Sequence, residues 1–159
     1  MKEKEVIALI DAAFASVPRP AKELLTECTC AECLEIRDDL SDRNPEDLDP
    51  AIMRYHSWDM GFLTPEARHY YIAGWMKLGI LRADAPYSDA VVEILSAGDI
   101  WLDPGQYSLE QKKAMWSFLE FIKRRNGECS YPELDALLEA GFLSEEEKFH
   151  GGYGKEVDE

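Results

Sequence analysis

Apolar residues recur at helical spacing from the start of this chain, and no period-two alternation bounded by hairpin turns interrupts them. Val6, Leu9, Ile10, Ala13, Phe14 and Val17 stand at i, i+3, i+4, i+7, i+8 and i+11, one face of a helix that Pro18 and Pro20 stop. The best-marked helix begins at Thr64, with Thr64 as N-cap, Pro65 in the first turn and Glu66 at the positive end of the dipole. Ala67, Tyr70, Tyr71, Gly74, Trp75 and Leu78 form its stripe.

Weaker signals mark the remaining helices. Thr29 and Glu32 fit a capping box for a helix running to about Leu40, and residues 41–50 read as a loop. A short helix covers residues 51–57. Ser88 or Asp89 caps a helix carrying Val91, Val92, Ile94 and Leu95, ended by Gly98. Ser108 opens another, which closes on Lys123, Arg124, Arg125 and Asn126-Gly127. A last helix spans residues 131–140, with Gly141 as its stop and Phe142 folding back on Leu137. The expected fold is all-α, an irregular bundle of about five to seven helices. It forms a single helical domain over residues 1–149, and residues 150–159 form a flexible acidic C-terminal tail.

Charge narrows the partners. The 159 residues carry a formal net charge of -15. Residues 27–50 hold nine acidic and two basic residues, and residues 133–159 again hold nine and two, so these segments supply -14 of it. Nucleic acid and anionic membranes are polyanions and are excluded as partners by the same sign. No apolar run approaches the roughly 18 residues of a membrane span, and Met1-Lys2-Glu3-Lys4-Glu5 is no secretory signal, so the expected location is cytoplasmic. The acidic segments are either solvated faces or a docking surface for a basic protein. For that surface the candidate partner-binding residues are Asp38, Asp39 and Asp42, together with Trp101 in the Asp99–Gly105 loop. Trp101 tucked into the core is the alternative, and Trp75 and Trp116 read as core.

Chemistry-bearing residues are few. Cys28, Cys30 and Cys33 form C-x-C-x-x-C, with Cys129 far downstream. Four thiolates suit zinc, although the second ligand cluster of a typical structural site is absent. The other readings are buried thiols acting as small apolar side chains, and a redox thiol whose pKa a helix start lowers. His56, beside Trp58 and Asp59, and His69, beside Tyr70, read first as partly buried, hydrogen-bonded residues and second as general bases. No nucleophile elbow, phosphate-binding loop, dinucleotide turn or His-Glu-x-x-His pattern is present.

Cys30-Ala31-Glu32-Cys33, followed some thirty residues on by Leu63-Thr64-Pro65-Glu66-Ala67-Arg68-His69-Tyr70-Tyr71, resembles a family of small bacterial domains of unknown function (DUF6714-like). The resemblance covers roughly Phe14 to Leu81. It departs from the family pattern before the first Cys, where the family has a His and this chain has Thr26 or Glu27 nearby. The resemblance implies a bacterial, cytoplasmic protein and brings no mechanism. The leading expectation is therefore a non-enzymatic protein-binding or regulatory domain, an inhibitor or immunity-type partner of a basic protein. A small zinc- or thiol-dependent protein using Cys28, Cys30 and Cys33 is the alternative. An enzyme site assembled from residues distant in sequence is a third reading.

Overall fold

The computed structural model describes residues 1–83, 86–96, 106–127 and 132–140. Among them lie seven α-helices: α1 (Glu3–Phe14), α2 (Ala31–Leu40), α3 (Pro50–Tyr55), α4 (Pro65–Leu81), α5 (Tyr87–Ser96), α6 (Leu109–Asn126) and α7 (Pro132–Ala140). Short 3-10 helices cover Lys22–Leu24, Pro45–Asp47 and Ser57–Phe62. The described residues contain no strand, only an isolated antiparallel bridge between Thr26 and Leu63. The all-α expectation is met. None of these helices is long and apolar enough to cross a membrane. The expected tail at residues 150–159, and Gly98, Gly141 and Phe142, lie outside the described residues.

Helix α4 is the centre of the bundle. The Thr64 hydroxyl accepts the Ala67 amide at 3.1 Å and donates to the Leu24 carbonyl at 2.6 Å, so one side chain starts the helix and ties down an earlier segment. Of the expected stripe, Ala67, Tyr71, Gly74 and Trp75 are buried. So are Ile72, Ala73, Met76, Gly79 and Ile80 on its other sides, because α4 packs against α1, α5, α6 and the Pro45–Asp47 turn. A helix that is apolar nearly all round belongs in the middle of a fold rather than on its surface.

Close approach requires glycine at two points on α4. A Cβ on Gly74 would sit 2.9 Å from the Pro45 Cβ, and one on Gly79 would sit 3.1 Å from the backbone of Ser88. At Gly79 the neighbour is main chain and cannot rotate away. Gly79→Val is therefore expected to push α5 off α4 and cost about 2 kcal/mol, read as a lower urea midpoint at an unchanged slope.

Helix ends depart from the sequence signals in three places. Helix α1 stops at Phe14, ahead of the prolines, where the Val17 amide closes a turn on the Phe14 carbonyl. Helix α2 begins at Ala31 with Cys30 as N-cap, so Thr29 caps nothing and Glu32 closes no capping box. Ser88 and Asp89 lie within the first turn of α5, where the Ala90 amide already bonds to the Pro86 carbonyl. Both ends of α6 follow expectation: Ser108 opens it, forming a capping box with Gln111, and Gly127 at φ 53° ends it in a conformation that favours glycine.

Polar ties hold the layers. The Tyr71 hydroxyl donates to the Leu40 carbonyl at 2.6 Å, fixing the end of α2 on α4. Lys77 bridges Asp11 at 2.7 Å and Glu46 at 3.0 Å, and Lys123 pairs with Asp135 between α6 and α7.

Candidate metal centre

The cysteine segment is anchored on both sides before any metal is considered. On the upstream side, Thr64 donates its amide to the Leu25 carbonyl at 2.9 Å, next to the Thr26–Leu63 bridge. Arg37, one helical turn beyond Cys33, reaches back to Thr26 with Nε on its hydroxyl at 2.8 Å and Nη2 on its carbonyl at 2.7 Å. The Thr26 hydroxyl in turn donates to the Cys28 carbonyl at 2.9 Å. The turn from Thr26 into α2 is thus held by side chains from α2 and α4. The two segments that carry the family resemblance, the cysteine element and the Leu-Thr-Pro-Glu helix start, are neighbours in space.

This turn brings three sulfurs together. The Sγ atoms of Cys28, Cys30 and Cys33 all lie within 4.8 Å of one another, and the thiols are free. Two sulfurs bound to one zinc at about 2.3 Å each can be at most about 4.6 Å apart, so a small closing movement satisfies the metal. Cys28 and Cys30 are exposed and can make that movement, whereas Cys33 is buried in the first turn of α2. The reading of all three as apolar core residues is therefore corrected for Cys28 and Cys30. A helix start that turns away from the core leaves its N-cap side chain in solvent.

Backbone amides point at two of the sulfurs. The Cys30 amide donates to the Cys28 sulfur at 3.2 Å. The Cys30 thiol is shifted below its ordinary value, chiefly because the Cys33 amide points at its sulfur, with smaller contributions from the Cys28 and Cys33 thiols. Cys33 moves the other way, pushed up to about 11 by burial and by its hydrogen bonds with the neighbouring thiols. Cys129, the fourth cysteine, lies outside the described residues.

The other candidates are distributed differently. His56 is buried between two carboxylates, with Nε2 2.7 Å from Asp39 and Nδ1 2.9 Å from Asp59. His69 Nε2 lies 2.9 Å from the Gln111 amide oxygen, and its ring packs edge-on against Phe14 and Tyr107. Both histidines are buried or half-buried and hydrogen-bonded, as the first reading of them expects. Asp39 is thus held by His56, and Asp38 pairs with Lys22 at 2.6 Å, so two of the three candidate partner-binding acids already have partners within the chain. Asp42 sits at a positive φ of 59° in the turn after α2. Trp101 lies outside the described residues, and Trp75 and Trp116 are buried.

Sequence reasoning missed the Arg37–Thr26 clamp and the Asp39–His56 contact. The first spans 11 positions and the second 17, and no local spacing rule couples residues that far apart. Comparison of the chain with protein-family models, with curated proteins and with solved structures returned no match.

Proposed function

We propose that this chain is a small, cytoplasmic, non-enzymatic binding domain that carries a zinc ion on Cys28, Cys30 and Cys33. The observation that supports this reading is the convergence of three sulfurs within 4.8 Å on a turn already held by Arg37, Thr26 and Thr64. A thiol cluster used only as packing would be buried, and two of these three are exposed. A reducing cytoplasm would keep the thiols free for metal rather than paired in disulfides. Two exposed sulfurs also leave the fourth coordination position open to a solvent ligand or a partner's side chain. Zinc there would pin the loop to the start of α2 and hold the acidic α2 surface in one orientation.

Elemental analysis of protein purified without added metal is expected to find about one zinc per chain. Replacing that zinc with cobalt should produce the sulfur-to-metal charge-transfer bands of a thiolate site. Cys28→Ser and Cys30→Ser change exposed residues and should fold, yet each is expected to weaken zinc by on the order of 100-fold. Clearly sub-stoichiometric zinc, or cobalt spectra without thiolate bands, would rule the reading out.

The pH dependence follows from Cys33. Its thiol, held near 11 without metal, is protonated at neutral pH and must release that proton to ligate. Zinc affinity is therefore expected to fall about tenfold per pH unit of acidification for each proton released. Competition titrations with a chromogenic chelator at about pH 6 and about pH 8 would read this difference directly.

A further inference from the structure

We infer that a cleft beside Trp58, distant in chemistry from the cysteine centre, is a docking site for a basic segment of a partner protein. The cleft has a volume of about 400 Å³ and is lined by Trp58, Asp89, Val92, Glu93, Ser96 and Glu133. It lies among the Ser57–Phe62 turn, α5 and α7. Its lining combines the apolar Trp58 and Val92 with three carboxylates.

Charge identifies the occupant. Ser57–Phe62, α5 and α7 contain no lysine or arginine at all, while they carry Asp59, Asp89, Glu93, Glu133, Asp135 and Glu139. Among the described residues, the ion pairs engage Asp11, Asp38, Asp39, Glu46, Asp59, Glu110 and Asp135. None engages the three acids of this cleft. All three are exposed, and among the described residues no lysine or arginine forms an ion pair with them.

Trp58 supplies the anchor. It is 58 % exposed, an unusual state for the largest apolar side chain. The backbone that carries it is anchored. Its 3-10 turn packs on α5, and the flanking His56 and Asp59 are joined at 2.9 Å. An indole face beside carboxylates attracts a guanidinium or ammonium group twice over, through the ring quadrupole and through direct charge. An exposed aromatic among polar groups is also the composition of an interface hot spot. A lysine- or arginine-bearing peptide segment satisfies both features. This moves the acidic docking surface away from Asp38 and Asp39, which are occupied within the chain, and onto α5 and α7.

An oligoarginine peptide titrated into the full chain by calorimetry tests the assignment. Binding is expected, weakening as salt is raised. Trp58→Ala should reduce affinity roughly tenfold, and Glu93→Lys by at least as much. Asp38→Lys makes the same change in net charge on α2 and is expected to shift affinity by no more than about twofold. Equal losses from Glu93→Lys and Asp38→Lys would show attraction to net charge alone and overturn the assignment. So would an unchanged affinity in Trp58→Ala, or no binding of the peptide to the wild-type chain. Zinc content plays no part in the readout, so the outcome stands apart from that of the metal centre.

Discussion

Replacing Trp75 with alanine is expected to cost about 3–5 kcal/mol, a large fraction of the roughly 5–15 kcal/mol that holds a domain folded. Trp75 lies wholly buried at the middle of α4, where α4 is covered on nearly every side. Truncation there leaves a void that neighbouring helices cannot close, because α4 is already pinned by close contacts at Gly74 and Gly79. The indole also does polar work. Its Nε1 donates to the Met53 carbonyl at 3.1 Å and lies 3.3 Å from the Ser57 hydroxyl, which itself donates to Met53. That network holds the junction between α3 and the Ser57–Phe62 turn. Trp75→Phe keeps most of the volume and loses the donor, so it is expected to cost clearly less, about 1–2 kcal/mol. Urea denaturation of both variants, followed by far-ultraviolet circular dichroism, separates the packing contribution from the hydrogen bonds.

His56→Ala is the second large effect, at about 2–3 kcal/mol. The ring joins Asp39 of α2 to Asp59 of the following turn, at 2.7 and 2.9 Å. Removing it leaves two carboxylates facing one another across a hole. The loss stays below that of a fully buried ion triad because both carboxylates are about one-third exposed and can be rehydrated. The contact is also a tether. Helix α2 is held to the rest of the fold by its buried face and by several polar contacts, among them this one and the Tyr71 hydroxyl on the Leu40 carbonyl. A double-mutant cycle of His56→Ala with Asp39→Asn measures the tether directly. The double variant should be less destabilised than the sum of the two single changes, by about 1 kcal/mol or more.

These two positions illustrate what could be read in advance. Trp75 belongs to a stripe at helical spacing, so its helix and its burial were both legible. Nothing local said that the opposite sides of the same helix would be covered too; that follows from where α1, α5 and α6 come to rest. His56 stands three residues from Asp59, a spacing that a turn can bridge, and that contact was visible. Asp39 reads from the sequence as facing a partner, because an acidic run gives no sign of which member turns inward. At the cysteines, the spacing announced a cluster. Thr29 was a chemically reasonable cap, and a start one residue later put Cys30 in that role and its sulfur among backbone amides.

Spacing, prolines and capping residues act over one or two helical turns, so the sequence by itself determined an all-α chain, most of its helix positions, and a thiol cluster near residue 30. The tertiary structure alone decided which helix is central, which acids are satisfied within the chain, and which aromatics are left at the surface. The reason is physical. Helix signals depend on neighbours within about four residues along the backbone. Burial, charge pairing and the gathering of ligands depend on side chains that meet only after the helices have packed.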